Sequence, residues 1–222
     1  MTLQPELDAF FAAFCLRVPP ETVAVLQQAT DELRASGIAE RALKKGDLAP
    51  NFALPNVPGA LISCGELLSI GPVVVSFYRG GWCPFCVLEL RRFQKILSEI
   101  RDLGGTLIAI SPETRHNSFD TVQKNDLQFE ILSDHGCHVA RAFGIAFELP
   151  KPVQALYANL GHPLPVLNGV DDWQLPIPAT YVIDRGHTIA LAHIAPEYQV
   201  RLEPTAVLAA LRRIQTRDAR AA

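Results

Sequence analysis

The chain has 222 residues, of which 49% are apolar, and carries a net charge of -3. It is long enough to bury a full core as one large domain with an extension. Its pI near 6.1 and lack of a Lys/Arg cluster argue against nucleic acid as a partner. No run approaches the 18 apolar residues of a spanning helix. The opening MTLQPELDAFFAAF has acids and no basic start, so neither a secretory leader nor a membrane association is expected, and the cytoplasm is the expected compartment.

Residues 1–45 read as a helical extension without strand signals. Leu7, Phe10, Phe11 and Phe14 recur at helical spacing, and Val23, Leu26 and Leu33 form a second stripe after Pro19-Pro20. The two stripes predict docking on the chain's own core, with a homodimer interface as the alternative. From Gly46 strands alternate with helices, the pattern of an α/β domain over 46–222. VVVSFY (73–78) suits a central strand buried on both faces. Val87, Leu90, Phe93, Leu97 and Ile100 then mark one helix ending at Gly104-Gly105. Thr106–Ser111 predicts a strand, 114–125 a polar helix, Phe129–Leu132 a strand, and Val139–Phe143 a brief helix. Residues 144–176 hold five prolines and form an insertion, helical around Val153–Leu160. TYVID (180–184) and Thr188–Ile194 predict a hairpin, and a closing helix runs from Pro204 to Ile214.

RGGWCPFC (79–86) lies between the first strand and its helix. If Cys83 is the N-cap, Pro84 falls at N1 and Cys86 at N3, so both sulfurs face unpaired N–H groups and the positive end of the helix dipole. A thiol of pKa ~8.5 is only about 3% ionised at neutral pH, and such surroundings raise the reactive fraction. Arg79 can add positive charge nearby. Four readings of the pair remain at this point: a redox couple, a peroxide-reacting thiol with a neighbour, half a zinc site completed from Asp134-His135-Gly136-Cys137-His138, or buried packing. No second properly spaced pair supports zinc, so no metal or cofactor is expected. Cys15, Cys64 and Cys137 read as packing thiols.

The motifs resemble those of the AhpC/TSA peroxiredoxins, carried by GDLAPNFALPNVPG (46–59), VVVSFYRGGWCPFC (73–86), TLIAISPET (106–114), EILSD (130–134) and ATYVIDRGHTIALAHI (179–194). WCPFC is also similar to the active-site turn of thioredoxins and glutaredoxins. The resemblance implies a thioredoxin-like fold, a central mixed β-sheet flanked by helices, and thiol-based oxidoreduction. It departs from the peroxiredoxin pattern in placing Arg79 at the usual proline, Cys83 at the usual threonine, and Pro178 near the usual distant arginine.

The Pro-x-Thr context of Pro178-Ala179-Thr180 matches the cis-proline of thioredoxin-like proteins. It implies a cis Ile177-Pro178 bond against Cys83, with the Ile177 backbone free to pair with a substrate. On that reading Cys83 attacks and Cys86 resolves in thiol-disulfide exchange, with Trp82, Arg79, Ile177 and Pro178 positioning the substrate. The alternative is a thiol peroxidase with Cys86 peroxidatic and Cys83 resolving; a second alternative is a non-enzymatic redox-responsive binding protein. Implied partners are protein or small disulfides and thiols, or hydroperoxides, with a thiol reductant as electron donor. The insertion is expected to cover the active-site side with Trp173 near the cysteines, the alternative being a remote surface excursion with Trp173 in its own small core.

Overall fold

The computed structural model describes residues 2–221. Two helices open the chain, α1 (Leu3–Cys15) and α2 (Pro20–Ala35), followed by the short α3 (Ile38–Arg41). A hairpin of β1 (Ala53–Pro55) and β2 (Leu61–Ser63) leads through α4 (Cys64–Ile70) to β3 (Val73–Phe77). Then come α5 (Pro84–Lys95), α6 (Leu97–Asp102), β4 (Thr106–Ser111), α7 (Arg115–Asn125), β5 (Glu130–Ser133) and α8 (His138–Ala142). The expected insertion holds β6 (Ala146–Glu148), α9 (Lys151–Asn159), α10 (Leu164–Asn168) and β7 (Gln174–Pro176). The chain closes with β8 (Ala179–Ile183), β9 (Ile189–Ile194) and α11 (Pro204–Ala221).

Five strands form one mixed sheet in the order β5-β4-β3-β8-β9. β3 runs parallel to β4 and antiparallel to β8. Because side chains alternate along a strand, VVVSF feeds two cores. Val74 joins Leu90, Phe93, Ile100, Val182 and Leu211 under α5, α6 and α11, while Val73, Val75 and Phe77 join Ile108, Phe143 and Tyr181 on the other face. Burial on both faces explains why β3 is a continuous apolar run rather than an alternating one. This is the mixed sheet with flanking helices of a thioredoxin-like fold, as the resemblance implied.

Two elements differ from the sequence reading. The single helix expected from Val87 to Ile100 breaks at Ile96, whose φ of -106° and ψ of 8° leave the helical region, although both halves keep their apolar face on the same core. The insertion also forms an antiparallel β6–β7 hairpin and α10, whose elements are too short to show periodicity. No described helix is long and apolar enough to cross a membrane.

The helical extension docks on its own chain. Leu3 and Leu7 are fully buried in the α5/α11 core, and Phe10 sets its ring edge against Phe85 with centroids 5.2 Å apart. Leu26 of α2 packs with Leu149, Val153, Tyr157, Leu164 and Leu175 of the insertion in a third cluster. The first stripe is therefore integral to the core. Leu7→Ala, which removes a fully buried side chain, is expected to lower the unfolding free energy by about 2–5 kcal/mol in urea denaturation.

Candidate active site

β3 lies where the sheet order switches, with β4 beside it on one side and β8 on the other, and its carboxyl end is the natural place for a site. The chain leaves β3 through Tyr78 and Arg79, and turns at Gly80-Gly81. Gly80 has φ +154°, and an added Cβ there would meet the Trp82 indole nitrogen at 2.2 Å and the Glu113 carboxyl carbon at 2.9 Å. An added Cβ at Gly81 would meet the Thr121 hydroxyl at 1.9 Å. Only glycine fits either place. The tight turn delivers Cys83 to the N-cap of α5, Pro84 to its first position and Cys86 to its third, as the spacing predicts.

Both sulfurs are fully buried and both are free thiols, each with its own arginine. Arg79 donates from Nη2 to Cys83 Sγ at 3.0 Å and from Nη1 to the Tyr157 hydroxyl at 2.9 Å. Its guanidinium lies 4.5 Å from the centroid of the Tyr198 ring and 5.2 Å from that of Trp82. Arg201 donates from Nη2 to Cys86 Sγ at 3.4 Å, and its Nε pairs with Glu89 Oε2 at 2.8 Å. Arg201 also donates to the Tyr198 and Val200 carbonyls. Thr180 of β8 donates its hydroxyl to Glu89 Oε1 at 3.5 Å.

This arrangement splits the two thiols. Burial by itself raises the Cys83 pKa, but the hydrogen bond from Cys86 and the charges of Arg79 and Arg201 outweigh it and hold Cys83 well below the ordinary thiol value. Cys86 is driven the other way, well above it, by burial and by its proton's role as donor to Cys83. The pair thus shares one proton, with the anion on Cys83 at the helix N-terminus and beside the shorter arginine contact.

Two buried carboxyls flank the pair. Burial pushes Glu89 up to about 7 against the pull of Arg201. Glu113 is likewise pushed up to about 7 by burial, opposed by the Gly81 N–H that it accepts at 2.8 Å.

The expected cis bond is absent: no described peptide bond is cis, and Ile177-Pro178 is trans. The cause lies in the insertion. Ile177 N–H donates to the Ile145 carbonyl at 2.7 Å, continuing the β6–β7 pairing, so the chain runs from β7 into β8 without a turn toward the cysteines. Pro178 sits just before the first residue of β8, where a missing N–H costs no ladder bond. Ile177 is fully buried and its N–H is not available to a substrate. Trp173 packs against the third cluster, the one that contains Tyr157 and has Trp82 against it, but another residue of the insertion makes the contact to Arg79. The insertion contributes Tyr157 instead, and His162, whose ring lies 5.2 Å from Trp82. The Asp134–His138 stretch has a structural role, Asp134 capping α8 by accepting from Val139 and Ala140 N–H.

The sequence reading assigned no role to Arg201, Glu89, Tyr157, Tyr198 or Glu113. Glu89 was the findable one: it lies three residues after Cys86 on the face that carries Leu90 and Phe93 inward, and a carboxyl on a buried face requires a partner. Arg201 had no such signal, lying 115 residues from Cys86 in an irregular segment.

The sequence model of the AhpC/TSA family matches residues 45–192. Peroxiredoxin Q, chloroplastic, of Triticum aestivum is 27% identical over 146 residues, 66% of this chain and 66% of that protein. The thiol-disulfide oxidoreductase ResA of Halalkalibacterium halodurans is 33% identical over 135 residues, 59% of this chain and 73% of that one. In fold the chain is similar to the crystal structure of peroxidoxin BcpB from Mycobacterium tuberculosis, with a TM-score of 0.61 and 23% identity over 78% of this chain and 98% of that one.

Replacing Arg79 with Met removes the charge at 3.0 Å and keeps the aliphatic stem. Losing one charged hydrogen bond, about 1.5–3 kcal/mol, is expected to raise the Cys83 pKa by roughly one to two units, read from the pH dependence of thiolate absorbance near 240 nm. Glu113 predicts a stability profile. Its folded pKa of about 7 exceeds the unfolded ~4.3, so its contribution is full below pH ~4.3 and is lost as pH rises toward 7. Glu113→Gln keeps the acceptor for Gly81 and cannot ionise. Thermal or urea unfolding is expected to show this variant gaining on the wild type between pH 5 and pH 7 and holding a constant lead above.

Proposed function

Because the chain belongs to the AhpC/TSA family, we propose that it is a thiol peroxidase in which Cys83 is the nucleophile and Cys86 resolves it. The observation that carries this reading is the Arg79–Cys83 contact at 3.0 Å inside a closed site. A thiolate is made available there, but both sulfurs are fully buried. A folded protein disulfide cannot reach a fully buried sulfur without opening the site, whereas a small peroxide needs far less room. Strand addition beside Cys83, the recognition mode a disulfide exchanger would use, has no free backbone at Ile177.

The Cys83 thiolate attacks the outer oxygen of a hydroperoxide, an S–O bond forms, and the O–O bond breaks. The inner oxygen leaves as alkoxide and takes a proton to become an alcohol, leaving Cys83 as sulfenic acid. Arg79, already on the sulfur, is placed to stabilise charge developing on the leaving oxygen. Cys86 then loses its proton, attacks the Cys83 sulfur and expels hydroxide, which leaves with that proton as water. Arg201, at 3.4 Å from Cys86 Sγ, stabilises the Cys86 thiolate during this step. The resulting disulfide takes two electrons from an external thiol reductant to restore both thiols.

The two cysteines can be told apart. With Cys86→Ser, one equivalent of peroxide is expected to leave a sulfenic acid on Cys83 that dimedone labels; with Cys83→Ser, oxidation should slow by at least about a thousandfold, as expected when the reacting thiolate is removed. Dimedone on Cys86 in the Cys83→Ser protein at near wild-type rate would reverse the roles. A wild-type protein inert to peroxides but oxidised by a disulfide would end the peroxidase reading.

A further inference from the structure

A cavity of roughly 230 Å³ opens between α2 and the insertion and has Arg79 among its lining residues. Its walls are mostly apolar, with Ala29 and Leu33 from α2, Phe147 and Leu149 from the insertion, and Tyr157 and Tyr198 among the rest of the lining. We propose that this cavity binds the organic part of a neutral hydroperoxide, so that α2 and the insertion set which peroxide the chain accepts. The proposal rests on the peroxidase reading above and specifies its substrate.

Three observations point to such a ligand. The space exceeds what the two oxygens of hydrogen peroxide fill, yet lies just below the ~300–1,000 Å³ of clefts for drug-sized molecules, which suits an aryl or short branched alkyl group. Arg79 is 5% exposed, and its Nε–H has no acceptor among the described residues while Nη1 and Nη2 are both used. A buried donor without an acceptor is costly, and a ligand oxygen would satisfy it. An oxygen held there shares its guanidinium with Cys83 Sγ, so binding in the cavity places the head of the ligand beside the thiolate. Finally, Glu32 and Glu148 are exposed and line the same cavity, putting negative charge at its solvent edge. That charge opposes a carboxylate-bearing peroxide and selects a neutral one.

About half of the residues that line this site lie outside the stretch that the family model matches. α2 precedes the matched segment 45–192 entirely. Filling the cavity from α2 tests the idea, since Ala29→Phe adds a ring at a helical position that faces the space. The ratio of oxidation rates with cumene hydroperoxide and hydrogen peroxide, followed by disulfide formation in the pre-reduced protein, is expected to fall at least about tenfold, the scale on which a pocket discriminates by shape. A readout independent of turnover is binding of the unreactive product alcohol, 2-phenyl-2-propanol, to the reduced protein by saturation-transfer NMR. It is expected with the wild type and lost with Ala29→Phe. Alcohol binding that is absent in the wild type or unchanged in the variant, or a rate ratio that does not move, overturns the proposal. Alcohol binding that Ala29→Phe abolishes, in a protein that reacts with neither peroxide, supports the ligand site and removes the peroxidase reading instead. If circular dichroism shows Ala29→Phe unfolded, Leu33→Gln, polar and similar in size, carries the same comparison.

Discussion

A buried guanidinium organises the site. Taking an arginine out of water costs several kcal/mol unless its charge and its donors are answered, and Arg79 is answered by one anion, one phenol and two ring faces. Those partners come from three parts of the chain. Cys83 and Trp82 belong to the turn after β3, Tyr157 to the insertion, and Tyr198 to the segment after β9. The need to satisfy Arg79 therefore fixes where the insertion lies and keeps the site closed. Cys83 is pushed toward the thiolate for the same reason: an anion there is the counter-charge that makes burial of Arg79 tolerable.

The second arginine depends on the helical extension. Arg201 N–H donates to the Gln4 side chain, and Glu203, two residues on, accepts from the Leu3 and Gln4 N–H groups. A carboxylate on the first free N–H groups of α1 caps that helix and opposes its dipole. The same contacts pin the loop that carries Arg201 to the body of the protein. Phe10 and Phe11 then hold α1 against Phe85, the residue between Pro84 and Cys86. Residues that precede the family-matched segment thus brace the machinery within it, and α2 walls the cavity that reaches Arg79.

Much of this was readable from the sequence wherever local rules decide the outcome. The apolar run of β3, the two glycines and Pro84 specify a strand, a tight turn and a helix start within a dozen residues, and the cysteines sit in the turn as their spacing requires. Alternating strands and helices carried the sheet. The failures share a different cause, because each depends on long-range pairing. Pro178 in its Pro-x-Thr setting has the local text of a cis-proline, but the hydrogen bond from Ile177 to Ile145 fixes a straight run instead. Neither Tyr157 nor Arg201 lies in a motif. Trp173 is the more conspicuous aromatic of the insertion, yet it is Tyr157 of α9, in the cluster Trp173 packs against, that bonds Arg79.

The departures from the peroxiredoxin pattern can now be weighed physically. That pattern places a threonine beside the reactive cysteine and brings an arginine from a distant strand; here Cys83 stands at the threonine position and Pro178 near the arginine position. What activation requires is positive charge and hydrogen-bond donors within about 3–3.5 Å of a sulfur, in a site shielded from solvent. It does not require them from particular strands. Arg79, at the usual proline position, and Arg201, from the loop after β9, supply both to a pair of sulfurs instead of one. Because two thiols share one proton between two cations, the position that carries the threonine hydroxyl elsewhere here carries the anion itself. On the proposed reading the nucleophile stands one turn nearer the strand, at the helix cap, and the sulfur at the family's usual position is its resolving partner.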